Sequence, residues 1–157
     1  MNNERLEEKL NTEFHIKNTE IALKFWNYVP KDKVSGGLNA WLDERKSKKS
    51  CGTIACFGGW CPLIPEFAVL GLKHEIGTNA PTLRELGITV PSKVAKYLFG
   101  ELTMFYTYGA CIYDNYIIRN LFPANEPPDD HELVHDRLQE NLKRLHLSYF
   151  IKNNEYR

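Results

Sequence analysis

A chain of 157 residues with 43% hydrophobic and 12% aromatic content has the length of one domain and enough apolar mass for a core, which excludes a disordered tail. Lys plus Arg and Asp plus Glu both total 20. No global basic field therefore draws nucleic acid or an anionic membrane, and neither is expected as a partner. Four cysteines and a polar start, Met-Asn-Asn-Glu-Arg, predict reduced thiols in a cytoplasm rather than a disulfide framework.

Residues 3–13 are charged and helix-prone (Glu4, Arg5, Glu7, Glu8, Lys9), with Leu6 and Leu10 as a thin apolar stripe. A charged N-terminal helix is expected within residues 1–16. Asn18 is expected to cap a second, stronger helix carrying Ile21, Leu23, Phe25, Trp26 and Val29, which Pro30 ends. Ser35-Gly36-Gly37 reads as a turn. Trp41 and Leu42 read as anchors that return the loop to the core, and the lysine-rich residues 44–49 as a solvated stretch.

The centre of the fold is predicted at Cys51-Gly52-Thr53-Ile54-Ala55-Cys56-Phe57-Gly58-Gly59-Trp60-Cys61. Thr53 suits the N-cap of a short helix, its hydroxyl accepting from the amides of Ala55 and Cys56. Pro62 stops that helix soon after Trp60. Two adjacent helical glycines cost about 1 kcal/mol each, so close approach of another backbone is expected there. Residues 54–72 near the length that crosses a bilayer, about 20 residues. Glu66, Pro62, Pro65 and three glycines within the run favour a buried helix–turn–helix instead.

Beyond it, residues 65–72 predict a second short helix ended near Gly71. Gly77, Asn79 and Pro81 mark a loop. Thr82 is expected to cap a short helix to Leu86, with Glu85 as the capping-box acid. Pro91 fits the first turn of a helix through Val94, Ala95, Tyr97, Leu98 and Phe99, with Gly100 at its C′ position. Residues 102–122 are rich in aromatics and read as one helix broken near Gly109, or as a hairpin. Residues 123–130 form a linker, and Asp129 or Asp130 caps the last helix. There Val134, Leu138, Leu142, Leu145 and Tyr149 make one apolar stripe, and Glu140 and Arg144 an i,i+4 pair. The predicted fold is mainly α: one compact domain, 1–157, of about six helices around the short central helix. A small β element is expected at residues 74–80 or in the tail.

Cys51, Gly52, Thr53, Cys56, Gly59 and Trp60 resemble the Cys-Gly-Thr-x-x-Cys-x-x-Gly-Trp signature of small proteins found in tailed-phage and some bacterial genomes. The upstream helix, Trp41, the Leu86-Gly87-Ile88 turn, Leu98-Phe99-Gly100 and the capped last helix are similar to that family over residues 18–145. Pro62 and Pro65 depart from it, standing where relatives continue the helix. The resemblance implies a phage accessory protein of the host cytoplasm, without cofactor. Such a protein would bind a host or phage protein and modulate or inhibit it without catalysis.

Three sets of residues compete as sites. His131-Glu132-Leu133-Val134-His135 is a literal His-Glu-x-x-His, able on a helix to hold zinc while Glu132 activates water, with His146 as a third ligand. Asp129, Asp130, Asp136 and Arg137 surround it, whereas zincin helices are apolar there, so the expectation is no metal. Cys51, just before a helix N-terminus, has the setting of a thiolate nucleophile, but no histidine is marked as its base. A zinc- or cysteine-dependent hydrolase is therefore the alternative to a binding protein. For binding, Tyr106, Tyr108 and Tyr113, and Tyr149 and Phe150 near the C-terminus, are the candidate anchors, since aromatic side chains dominate hot spots.

Overall fold

A computed structural model describes residues 3–34, 56–106 and 130–154. The architecture is mainly α with one small two-stranded sheet. Helix α1 spans Asn3–Trp26, α2 Phe57–Trp60, α3 Pro65–Val69, α4 Pro91–Phe99 and α5 Asp130–Asn154. Strand β1 (Lys73–His74) pairs antiparallel with β2 (Pro81–Thr82), Lys73 opposite Thr82 and His74 opposite Pro81. Single 3-10 turns lie at Lys31–Lys33, Cys61–Leu63, Arg84–Leu86 and Met104–Tyr106.

The expected break at Asn18 is absent: α1 runs unbroken from Asn3 to Trp26. No proline or glycine interrupts those residues, so nothing local ends the helix. Asn18 instead lies buried, at 3% exposure, and its Nδ2 donates to the Leu98 carbonyl at 3.0 Å. On the facing helix Asn141 is equally buried and donates to the Phe99 carbonyl at 3.0 Å and to the Thr19 hydroxyl at 3.3 Å. Leu98 and Phe99 end α4, where carbonyls have no partner within the helix. Two asparagines from α1 and α5 thus close the C-terminus of α4, and this polar cluster joins the three helices.

Helix α4 forms as expected. Pro91 occupies its first turn and Gly100 its left-handed end at φ 75°. An ideal Cβ on Gly100 would stand 2.8 Å from His15 Nδ1. The glycine therefore serves both the turn and the seating of the α1 imidazole. Thr82, expected to cap a helix, sits in β2, and the Arg84–Leu86 turn has no side-chain cap. The loop expected between His74 and Pro81 is the connection of the hairpin. Arg144, expected beside Glu140, has its Nη1 3.4 Å from Glu101 Oε2.

The core is aromatic. Phe57 of α2 packs edge-on against Trp26 at 5.4 Å and lies 5.7 Å from Phe99 and 5.8 Å from Phe105. Phe67 meets Phe99 at 5.7 Å. Val134 and Leu138 bring α5 onto this cluster. Among the described residues no helix is long and apolar enough to cross a membrane.

Candidate functional site

The described part of the central motif, residues 56–61, lies largely in the core. Cys56, Phe57, Gly58, Gly59 and Cys61 are buried. Burial, with Cys56 nearby, pushes the Cys61 thiol well above its ordinary pKa, the opposite of what a nucleophile requires. The Gly59 carbonyl accepts from His74 Nε2 at 2.7 Å, which ties the hairpin to α2. Trp60 is only part-buried. Its Nε1 donates to the Lys33 carbonyl at 3.1 Å, and its ring lies 6.3 Å from that of Phe25. Cys51, Gly52 and Thr53 lie outside the described residues, as do the expected Trp41 anchor and the 123–129 part of the linker.

The His-Glu-x-x-His stretch forms the first turns of α5, as its spacing predicts, but its side chains diverge. His131 stacks on Trp26, with centroids 5.2 Å apart and planes 20° apart. Its Nε2 lies 2.9 Å from the Trp26 carbonyl, while Trp26 Nε1 donates to the His131 carbonyl at 2.9 Å. Because a carbonyl only accepts, Nε2 carries the proton in that contact and has no lone pair to offer a metal. Glu132 lies 3.4 Å from Lys31 Nζ. His135 Nδ1 is 3.8 Å from Asp136, and His146 Nε2 is 3.9 Å from Glu20. Among the described residues no group of three or more His, Cys, Asp or Glu side chains is placed to hold a metal. This geometry is that of a clamp joining the end of α1 to the start of α5. The signal for it was already present, since Trp26 and His131 each pair an aromatic face with a polar edge.

At the other end of these two helices the side chains are differently disposed. Tyr149 Oη donates to Glu13 at 2.8 Å, Lys9 Nζ stands 6.0 Å over the Tyr149 ring, and Lys152 Nζ is 3.5 Å from Glu8. These contacts run α5 antiparallel to α1. They place Tyr149 in the seam of the helix pair, where it holds the scaffold. Phe150, the next residue, points outward at 64% exposure, with Leu147 at 60% and Ile151 at 46%. On α1, Leu6 and Leu10 are likewise exposed, at 45% and 54%. Tyr108 and Tyr113 lie outside the described residues, and Tyr106 closes the Met104–Tyr106 turn.

His15 is half-buried beside a groove of about 440 Å³ that also touches Glu8, Lys96, Tyr97 and Lys152. Burial lowers its pKa, opposed by a hydrogen bond to the Tyr97 backbone. Compared with known proteins, the chain matches no family model, no curated protein and no solved structure.

Proposed function

We propose that this chain is a non-catalytic accessory protein, phage-encoded and acting in the host cytoplasm. It binds a host or phage protein and modulates or inhibits it. The observation that carries the binding reading is Phe150, a large aromatic side chain left 64% exposed near the end of a long, well-anchored helix. Rigid aromatic anchors of this kind supply most of the energy of protein interfaces. Exposed Lys143 lies seven residues before it, about two turns away on the same side of α5. The surface is therefore suited to a partner segment with an apolar anchor and acidic neighbours. The phage origin rests on the Cys-Gly-Thr-x-x-Cys-x-x-Gly-Trp resemblance.

The test uses the whole chain as bait in a host lysate, followed by titration of the purified, identified protein against wild type and Phe150→Asp. The reading expects a single partner whose affinity falls at least about thirtyfold, 2 kcal/mol, with unchanged melting. Equal affinity for both baits would overturn Phe150 as the anchor. Turnover of a substrate by the purified chain would overturn the non-catalytic reading.

A further inference from the structure

Helix α4 ends against α1 and α5 in a groove of about 440 Å³. Pockets that hold a small organic molecule span roughly 300–1,000 Å³. Part of the wall is apolar: Phe14 and Tyr97 meet edge-on with centroids 5.4 Å apart, and Leu145 adds to it. Among the described residues the charged side chains of the groove are Glu8, Lys96 and Lys152. Glu8 and Lys152 neutralise each other at 3.5 Å. Lys96 is exposed and makes no ion pair among the described residues. One positive charge therefore stands in the groove unbalanced.

The imidazole of His15 is fixed in the same groove. Its Nδ1 fills the space that a Cβ on Gly100 would need, 2.8 Å away. The hydrogen bond to the Tyr97 backbone favours the protonated ring, the effect of a carbonyl that accepts from it. One ring nitrogen thus donates to the Tyr97 carbonyl, and the other holds a lone pair while the ring is neutral. A lone pair in one groove with an unbalanced ammonium suits a group that brings both a proton and a negative charge. A carboxylic acid does so. Its proton passes to the free ring nitrogen, and the carboxylate left behind accepts from the imidazolium and from Lys96. The Ser148 hydroxyl, without a hydrogen bond among the described residues, is a further donor on the α5 side. We propose that this groove binds a small monocarboxylate with an apolar body, the carboxylate between His15 and Lys96 and the body against Phe14, Tyr97 and Leu145. A phosphate dianion fits less well, because it brings two charges to one unbalanced cation beside Glu8.

The test titrates phenylacetate, its neutral isostere phenylacetamide and inorganic phosphate into the full chain, read by amide chemical shifts. Phenylacetate should saturate at about millimolar concentration, the range of a ligand of roughly ten non-hydrogen atoms, and shift the amides of Gly100 and Ser148. Phenylacetamide should bind about tenfold more weakly, for want of the charge. Lys96→Gln changes an exposed side chain, so melting should stay at wild type while phenylacetate weakens about tenfold, the loss of one charge-assisted hydrogen bond. Because the bound acid leaves its proton on His15, affinity should rise several-fold from about pH 8 to about pH 6.5, and not in His15→Gln. Glu8 on α1, Lys96 and Tyr97 on α4 and Lys152 on α5 also line the groove; side chains of these types keep one charge across that range. No saturation at roughly tenfold higher phenylacetate overturns the site. Equal binding of acid and amide, equal binding by wild type and Lys96→Gln, or tighter binding of phosphate overturns the monocarboxylate. An affinity that ignores pH, or follows it equally in His15→Gln, overturns the proton transfer. Phe150 lies outside this groove, so none of these results touches its titration.

Discussion

Single residues carry three separable effects. Gly100 and Gly87 both sit at positive φ, 75° and 73°, but a Cβ at Gly87 meets nothing within 4 Å, whereas at Gly100 it meets His15. Gly87→Ala should cost about 1–2 kcal/mol, the backbone term alone. Gly100→Ala should cost more, and the difference measured by urea unfolding reads the His15 contact. His15 gives a pH dependence. Its folded pKa is lowered, so the unfolded chain binds the proton more readily. Stability from this group is present above the unfolded value, about 6.5, and is lost as pH falls below it. Glu8, Lys96 and Lys152 share its groove. The urea midpoint should therefore fall between neutral and mildly acidic pH, and fall less in His15→Gln. An equal fall in both proteins would place the titrating group elsewhere. Asn141→Ala should cost about 1–3 kcal/mol by leaving the Phe99 carbonyl buried without this donor. Cys61, buried with a raised pKa, should react with a thiol reagent only as the chain unfolds.

Elements differ in how much of them was readable beforehand. Helix α4 was legible because Pro91 and Gly100 mark its ends by local chemistry. The hairpin was half legible: the turn residues were evident, while pairing of Lys73 with Thr82 depends on two short segments meeting. The false break at Asn18 has a long-range cause. Its partner is the Leu98 carbonyl, 80 residues away, and a capping rule reads only neighbours. Helix α2 is shorter than expected: it begins at Phe57 with extended Cys56 as its N-cap, not at Thr53, and Phe57, its main anchor, was invisible as such because one aromatic in a motif has no period. Phe57→Ala should therefore cost about 3–5 kcal/mol, and Gly59→Leu about 1–3 kcal/mol by overpacking. Trp60→Ala should cost less than Phe57→Ala, since Trp60 is only part-buried. Thermal melting of the three variants orders them, and a Trp60 effect above that of Phe57 would contradict this ranking. The His-Glu-x-x-His stretch shows the same limit from the other side. Its spacing is that of a zinc site, but the tertiary neighbour of His131 is the end of α1. His131→Ala should lower stability without changing zinc content, which metal analysis of both proteins can check.

For the whole molecule, the two ends of the α1–α5 pair divide the work. The Trp26–His131 clamp at one end fixes the helices. The other end leaves Leu147, Phe150 and Ile151 on its outer surface, the face on which the proposed partner would bind. The most direct measurement is hydroxyl-radical footprinting of the aromatic residues, with Phe57 as the internal reference for a core side chain. Phe150 should be oxidised readily in the isolated chain and protected when the partner is added, while Phe57 stays protected throughout. Phe150 as protected as Phe57 in dilute, isolated chain, or equally oxidised with and without partner, would contradict the account.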